Sequence, residues 1–251
     1  MKSYLKKTIQ MIPCSACPNR ERDMFQVLSP DQLEQVEHYR GGQCAIAAKT
    51  HLYQQGEKHN NVYTLFSGWV MLYKTLSNGG RQVLRYALPG DILNFQSDPE
   101  APMTHSAVTL TNTTLCSFAR PNFYTILEEN PNVTLQLAQI MAEDVALSHE
   151  YLINIGRKNA RERMAFLFLE LYHRLKAQAP DIGNTMPFPM TQEDIADTLG
   201  LTLVHVNRTL RSLRQEELIQ LSHHKLTIVK YEELAVIAGF NLNELRRQAL
   251  L

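Results

Sequence analysis

The chain has 251 residues, 44% of them hydrophobic and 20% charged, with 25 Lys plus Arg balanced by 25 Asp plus Glu. That length is enough for two cores, and a net charge of zero excludes a polycation, so any attraction to nucleic acid has to come from local clusters of charge. No apolar run approaches the ~20 residues of a membrane span, and no secretory signal follows Lys2, Lys6 and Lys7; this points to the cytoplasm, where the four cysteines are thiols, metal ligands or redox sensors rather than structural disulfides.

Residues 1–28 form an extended segment carrying Cys14-Ser15-Ala16-Cys17-Pro18. Ser29-Pro30-Asp31-Gln32 opens a helix, with a cap, a proline at the first helical position and a capping-box glutamine. Gly41-Gly42 ends it near Arg40. From about Cys44 to Arg120 the pattern is of short strands, among them Val62 to Lys74, Gln82 to Leu88 and a pair within Ser106 to Phe118. Asn78-Gly79-Gly80 reads as a hairpin turn and Pro89-Gly90-Asp91 as another. Such spacing predicts a β-roll or jelly roll over residues 29–130.

Helical spacing returns after Pro121, in a short helix to Asn130 and a long one from Pro131 to about Ile155. The long helix has two apolar stripes. Val133, Leu137, Ile140, Leu147 and Tyr151 face inward; Met141, Val145, Leu152 and Ile155 repeat in four- and three-residue steps and predict the seam of a homodimer. Gly156 is read as the break after this dimer helix (131–156). Asn159 to Ala177 is a further helix, and Ala179 to Asn184 a loop.

Within 157–251 the informative segment is Thr191 to Val229. Thr191 caps one helix, Ile195 and Leu199 give its buried stripe, and Gly200 ends it, because a residue without Cβ takes the left-handed conformation of a tight turn. Thr202 caps a second helix with Leu203, Val206, Leu210 and Leu213 inward. At about 100° per residue the opposite face carries Val204, His205, Arg208, Arg211, Ser212 and Gln215, with Asn207 at its edge. Guanidinium forks, a carboxamide and small apolar groups suit base edges and phosphates of double-stranded DNA. Leu221 to Val229, turning at His223-His224, completes a winged helix-turn-helix, and Tyr231 to Leu251 adds a helix or two. Basic clusters lie at Arg157, Lys158, Arg161 and Arg163 and at Arg208, Arg211 and Arg214. The nine histidines are scattered, and there are no paired carboxylates, nucleophile elbow, phosphate loop or His-Glu-x-x-His, so the chain is not read as an enzyme. Cys14 and Cys17 have the spacing that grips one metal or cluster; a reversible thiol switch, a zinc site and simple buried thiols stay open beside it.

In this order, an α+β chain of β-roll, dimer helix and winged helix-turn-helix resembles the CRP/FNR family of transcriptional regulators. The resemblance rests on Gly56-Glu57, Phe66-Ser67-Gly68-Trp69-Val70, Leu88-Pro89-Gly90-Asp91-Ile92-Leu93, the junction Asn159 to Ala165, Met190 to Ala196, and Leu199 to Leu210. It implies that Arg208 reads guanine and that Val204 stands where relatives often carry glutamate, so the half-site departs from the usual one. It also implies contact with RNA polymerase if the protein activates. The cyclic-nucleotide branch has a phosphate-binding arginine where this chain reads Met103-Thr104-His105-Ser106-Ala107, so no cyclic AMP is expected. The redox branch implies an iron–sulfur cluster of the 4Fe–4S type on N-terminal cysteines and one late in the β-roll. Cys14, Cys17 and Cys116 match. The third N-terminal cysteine is missing, leaving Cys44 or Asp23 for the fourth ligand, and the alternative is a regulator without a cluster, controlled by thiol oxidation or another ligand, or constitutive.

Overall fold

A computed structural model describes residues 11–21 and 23–239. The chain divides into two units, Met1–Ile140 and Met141–Leu251.

In the first unit Ser29 caps α1 (Pro30–Tyr39) through the expected capping box with Gln32. The next strand begins earlier than Cys44: β1 spans Arg40–Ile46, because Gly41-Gly42 forms a bulge against β8 rather than a loop. There follow β2 (His51–Tyr53), β3 (Asn61–Ser67), β4 (Val70–Thr75), β5 (Arg81–Ala87), β6 (Ile92–Leu93), β7 (Ser106–Thr109) and β8 (Thr113–Ala119). They build two antiparallel sheets, β1-β8-β3-β6 and β2-β7-β4-β5. Leu65, Leu93 and Leu115 of one sheet meet Tyr53, Val70 and Ala107 of the other in a common core. Gly68, between β3 and β4, has φ +96° and lies so close to Thr113 that a Cβ would collide with its side chain; only glycine fits there. The Asn78-Gly79-Gly80 turn is present, with the Asn78 side chain accepting from the Gly80 N–H.

The outer face of the first sheet is covered by Met24, Phe25 and Leu28 of the N-terminal segment, by Leu33 and Val36 of α1, and by Phe123 and Ile126 of α2 (Arg120–Glu129), all buried. Phe118 of β8 meets Phe25 and Phe123 there, at ring-centroid separations of 5.8 and 6.2 Å.

Helix α3 spans Pro131–Arg157 and contains the boundary between the units. Gly156 is not a break. It lies exposed within the helix, which a single glycine weakens but does not end, and the turn comes where Asn159 caps α4 (Ala160–Gln178) through a capping box with Glu162. A strand unforeseen in the sequence, β9 (Thr185–Pro187), then precedes α5 (Gln192–Leu199) and α6 (Leu203–Gln215). The wing starts two residues before Leu221: β10 (Ile219–Ser222) pairs with β11 (Lys225–Ile228), and β9 adds to the far edge of β11. His223 and His224 both have positive φ, as a two-residue hairpin turn requires. Helix α7 (Tyr231–Ala238) follows; the rest of the expected C-terminal helical stretch lies outside the described residues.

Candidate nucleic-acid interface and thiol site

Local chemistry builds the helix-turn-helix. The Thr191 hydroxyl accepts from the Asp194 N–H, and the Asp194 carboxylate accepts from the Thr191 N–H and hydroxyl. Gly200 sits in the left-handed region at φ 61°, ψ 40°. The Thr202 hydroxyl accepts from the His205 N–H and lies 3.1 Å from His205 Nδ1. Thr191 and Thr202 are therefore engaged as caps. Val206, Thr209, Leu210 and Leu213 are buried; Leu203, expected inward, is 43% exposed because it begins the first turn of α6.

The outer face of α6 is as expected. Val204 is 73% exposed, and His205, Asn207, Arg208 and Arg211 are exposed beside it. The Asn207 amide donates back to the Leu203 carbonyl at 2.9 Å. Arg208 and Arg211 form no hydrogen bond or ion pair with any described residue, which leaves two guanidinium forks directed at solvent.

The other basic cluster behaves differently. Arg163 donates through Nε to the Lys158 carbonyl (2.7 Å) and through Nη1 to the Leu199 carbonyl (2.9 Å), placing a cation at the C-terminus of α5. Lys158 donates to the Ala238 carbonyl (2.8 Å) and lies over the Phe166 ring. Arg161 grips Glu216 with both terminal nitrogens and also reaches Ser212. That pair holds the Glu216 carboxyl well below its ordinary range, at about 2. Ser212, expected on the DNA face, is thereby tied to the Arg161–Glu216 pair.

Along α3, Val133 and Leu137 are buried, and Val145 and Leu152 are 54% and 69% exposed. Met141 and Ile155 are only partly exposed. The Ile155 side chain lies toward Gly200 in the turn between α5 and α6, and Tyr151 donates to the buried Glu170 carboxylate at 3.1 Å. Leu135, Ala138, Ala142, Val145, His149 and Leu152 are exposed along α3 in three- and four-residue steps.

The thiols divide by strand parity. Cys116 pairs with Gln43 across β1 and with Thr64 across β3, on the outer face with Phe118. Cys44 pairs with Leu115, a core residue, and so points to the opposite face of the sheet. Cys14 opens a short 3-10 turn ending at Ala16, which is pinned over the outer face. Gln43 accepts from the Ile12 N–H (2.9 Å) while its amide donates to Cys116 Sγ (3.4 Å). Arg40 donates to the Ile12 carbonyl (2.9 Å), and Glu37 accepts from the Cys14 N–H (3.2 Å). Gln43, Arg40 and Glu37 carry no motif; only their side-chain bonds to the Ile12–Cys14 backbone reveal them. Cys14, Cys17 and Cys116 are near enough that each of the first two feels the charge of Cys116. Burial pushes the Cys14 thiol up to about 11, against the pull of Arg40, and raises Cys17 and Cys44 as well. Burial also lifts the Asp23 carboxyl to about 7, although the Phe25 N–H and Arg20 favour its charge. Among the described residues no three His, Cys, Asp or Glu side chains stand in a metal-holding group. The three thiols thus lie near one another without converging as metal ligands do, and the buried Arg40, whose Nε has no partner, is a cation that offsets thiolate charge at Cys14.

A winged helix-turn-helix with an exposed basic second helix, in a chain that also carries a β-roll, defines a DNA-binding transcription regulator of the β-roll type. Comparison with known proteins agrees. The sequence model of the cyclic nucleotide-binding domain matches residues 44–130, and that of the Crp-like helix-turn-helix domain matches 162–237. The transcriptional activatory protein AadR of Rhodopseudomonas palustris is 34% identical over 222 residues, 86% of this chain and 90% of its own length. The nitrogen fixation regulation protein FixK of Bradyrhizobium diazoefficiens is 28% identical over 226 residues, 90% of this chain and 94% of that protein. The solved structure of FixK2 from Bradyrhizobium japonicum is similar at a TM-score of 0.71 and 26% identity, covering 79% of this chain and 98% of that one. The chain belongs to the CRP/FNR family, whose members are transcription regulators and not enzymes. No helix among the described residues is long and apolar enough to cross a membrane.

Proposed function

We propose that two copies of this chain join along α3 and set their α6 helices into successive major grooves of a pseudo-palindromic operator in the cytoplasm, under the control of an oxygen- or redox-sensitive iron–sulfur cluster held by Cys14, Cys17 and Cys116. The observation that carries the DNA reading is the outer face of α6, with Arg208 and Arg211 exposed and uncommitted beside Val204, His205 and Asn207. A guanidinium fork reads guanine in the major groove, and a valine meets a thymine methyl but accepts nothing from cytosine. The dimer reading is supported by Leu135, Val145 and Leu152, an apolar line too regular for a solvated face.

The cluster reading is supported by the two-residue gap between Cys14 and Cys17 and by the nearness of Cys116 to both. When bound, such a group supplies a centre that oxygen or a change of potential alters. Gln43, Arg40 and Glu37 hold the Ile12–Cys14 segment in place beside it. A thiol switch fits less well, because burial keeps Cys14 and Cys17 protonated and the thiolate is the reactive form. A cyclic nucleotide fits less well too. His105 is held near neutral by burial and bonded to Tyr53, and Arg85 is paired with Asp91 at 2.9 Å, so neither offers an uncompensated charge to a phosphate. The name of AadR supports an activator, which would touch RNA polymerase.

The test is anaerobic purification with iron and sulfide analysis, then sedimentation and operator binding before and after air. Bound iron, a dimer, and operator affinity that falls on exposure to air are expected. A protein that stays monomeric beside its operator ends the dimer reading. Iron-free protein with air-independent affinity ends the cluster reading and leaves a constitutive regulator.

A further inference from the structure

We infer that two short side-chain bonds at the start of α6 fix the polarity of its neutral base-reading groups: His205 presents a hydrogen-bond donor and Asn207 an acceptor, on opposite flanks of Arg208. The inference rests on the reading that the outer face of α6 enters the major groove.

At about 100° per residue, positions 205 and 207 project to either side of position 208, and all three side chains are exposed. A neutral imidazole has one donor and one acceptor nitrogen, and the partner of one settles the role of the other. Thr202 is that partner. Its hydroxyl oxygen accepts the His205 N–H at 3.3 Å and lies 3.1 Å from Nδ1 of the same residue. With the proton on Nδ1, two N–H groups would converge on one hydroxyl oxygen, and the hydroxyl proton would have no acceptor among the described residues. The other arrangement uses every group. The hydroxyl, polarised by the N–H it accepts, donates its proton to Nδ1. The ring proton then sits on Nε2, which no described residue engages. One threonine oxygen thus caps the helix and sets a tautomer.

Asn207 is decided by its own helix. Its side chain meets the Leu203 carbonyl, four residues back, at 2.9 Å. A carbonyl only accepts, so the amide nitrogen is the atom turned to the helix and Oδ1 is left for a partner.

In the major groove a donor finds purine N7, guanine O6 or thymine O4 and is refused by the cytosine amino group; an acceptor finds adenine N6 or cytosine N4. The half-site is therefore expected to offer an acceptor to His205 on one side of the base pair that Arg208 reads, and an amino group to Asn207 on the other.

Two measurements on the full chain test this: selection of operators from a random duplex pool, and the imidazole nitrogen shifts of histidine-labelled protein, with His205 assigned by its loss in His205→Ala. Neutral His205 should carry its proton on Nε2. Thr202→Val, which loses the hydroxyl, should release the ring to a mixture of tautomers, and Thr202→Ser should not. In the selection, one position of each half-site should favour a purine or thymine over cytosine about tenfold. His205→Gln, whose amide nitrogen replaces Nε2 as donor, should keep that preference. His205→Glu, an acceptor only, should turn it to cytosine, and Asn207→Ala should lose discrimination at a different position. A proton on Nδ1 of the neutral ring, or an unchanged preference in His205→Glu while Arg208→Ala alters the selected sequence, overturns the polarity assignment alone. A selection unmoved by substitution at 205, 207 and 208 alike overturns the reading of α6 as the helix in the groove.

Discussion

Two groups of arginines in the second unit have the same charge in the sequence and opposite roles in the fold. Arg161 and Arg163, with Lys158, are spent within the unit on Glu216, Leu199 and Ala238. Arg208 and Arg211 turn outward and bond to no described residue. Compensated charge stabilises an architecture; uncompensated charge on an exposed face is what a polyanion can use. A basic patch therefore marks a nucleic-acid surface only after the internally bonded cations have been subtracted from it.

The largest effect expected is on the internally bonded group. Arg163→Ala removes two charge-assisted bonds to carbonyls and the cation at the end of α5, and should destabilise the second unit by roughly 2–3 kcal/mol, seen as a lower thermal midpoint with operator preference unchanged in the folded fraction. If the midpoint is unchanged and only DNA affinity falls, Arg163 belongs with the outward group and the division fails. Next comes Arg208→Ala, which should cost about 1–3 kcal/mol at the operator and little on unrelated DNA, with the melting curve unmoved; a binding-site selection that returns the same preferred sequence would contradict a reading role. Arg211→Ala should weaken binding to all sequences alike and reduce the salt slope by about one, measured by titration at several salt concentrations.

The smallest effect is at Glu216. Its carboxyl is held at about 2 against an ordinary 4.5, so the depressed group contributes stability that is present above 4.5 and lost as pH falls through about 2. Glu216→Gln should melt slightly below the unmodified protein at neutral pH, with the gap closing on acidification over that window. A gap that widens in acid would show that the pair with Arg161 does not set the shift. Because the pair is exposed, salt should shrink the gap throughout.

Much of the fold was legible because local signals agree with tertiary ones. The caps at Ser29, Thr191 and Thr202, the left-handed Gly200 and the Asn78-Gly79-Gly80 turn act over a few residues, and each is where the pattern put it. The misreadings arose where partners are distant. Gly156 looked like a break, yet the helix continues one residue further because the competing cap at Asn159 decides its end. The packing of Ile155 was equally hidden: its side chain leans toward Gly200, forty-five positions on, a neighbour that helical spacing alone does not reveal. Strand β9 was invisible: Thr185-Met186-Pro187 is too short to show a period, and pairing with β11 creates it.

The sequence by itself determined the order of elements, the two capped helices of the DNA-reading motif and the face on which Val204, His205, Arg208 and Arg211 lie, because capping and helical periodicity are properties of neighbouring residues. Only the tertiary structure decided which cations are already paired and which thiols share a side. Cys44 and Cys116 are both buried cysteines in adjacent strands, and nothing local distinguishes them; the register of β1 on β8, set by long-range pairing, sends one into the core and the other toward Cys14 and Cys17.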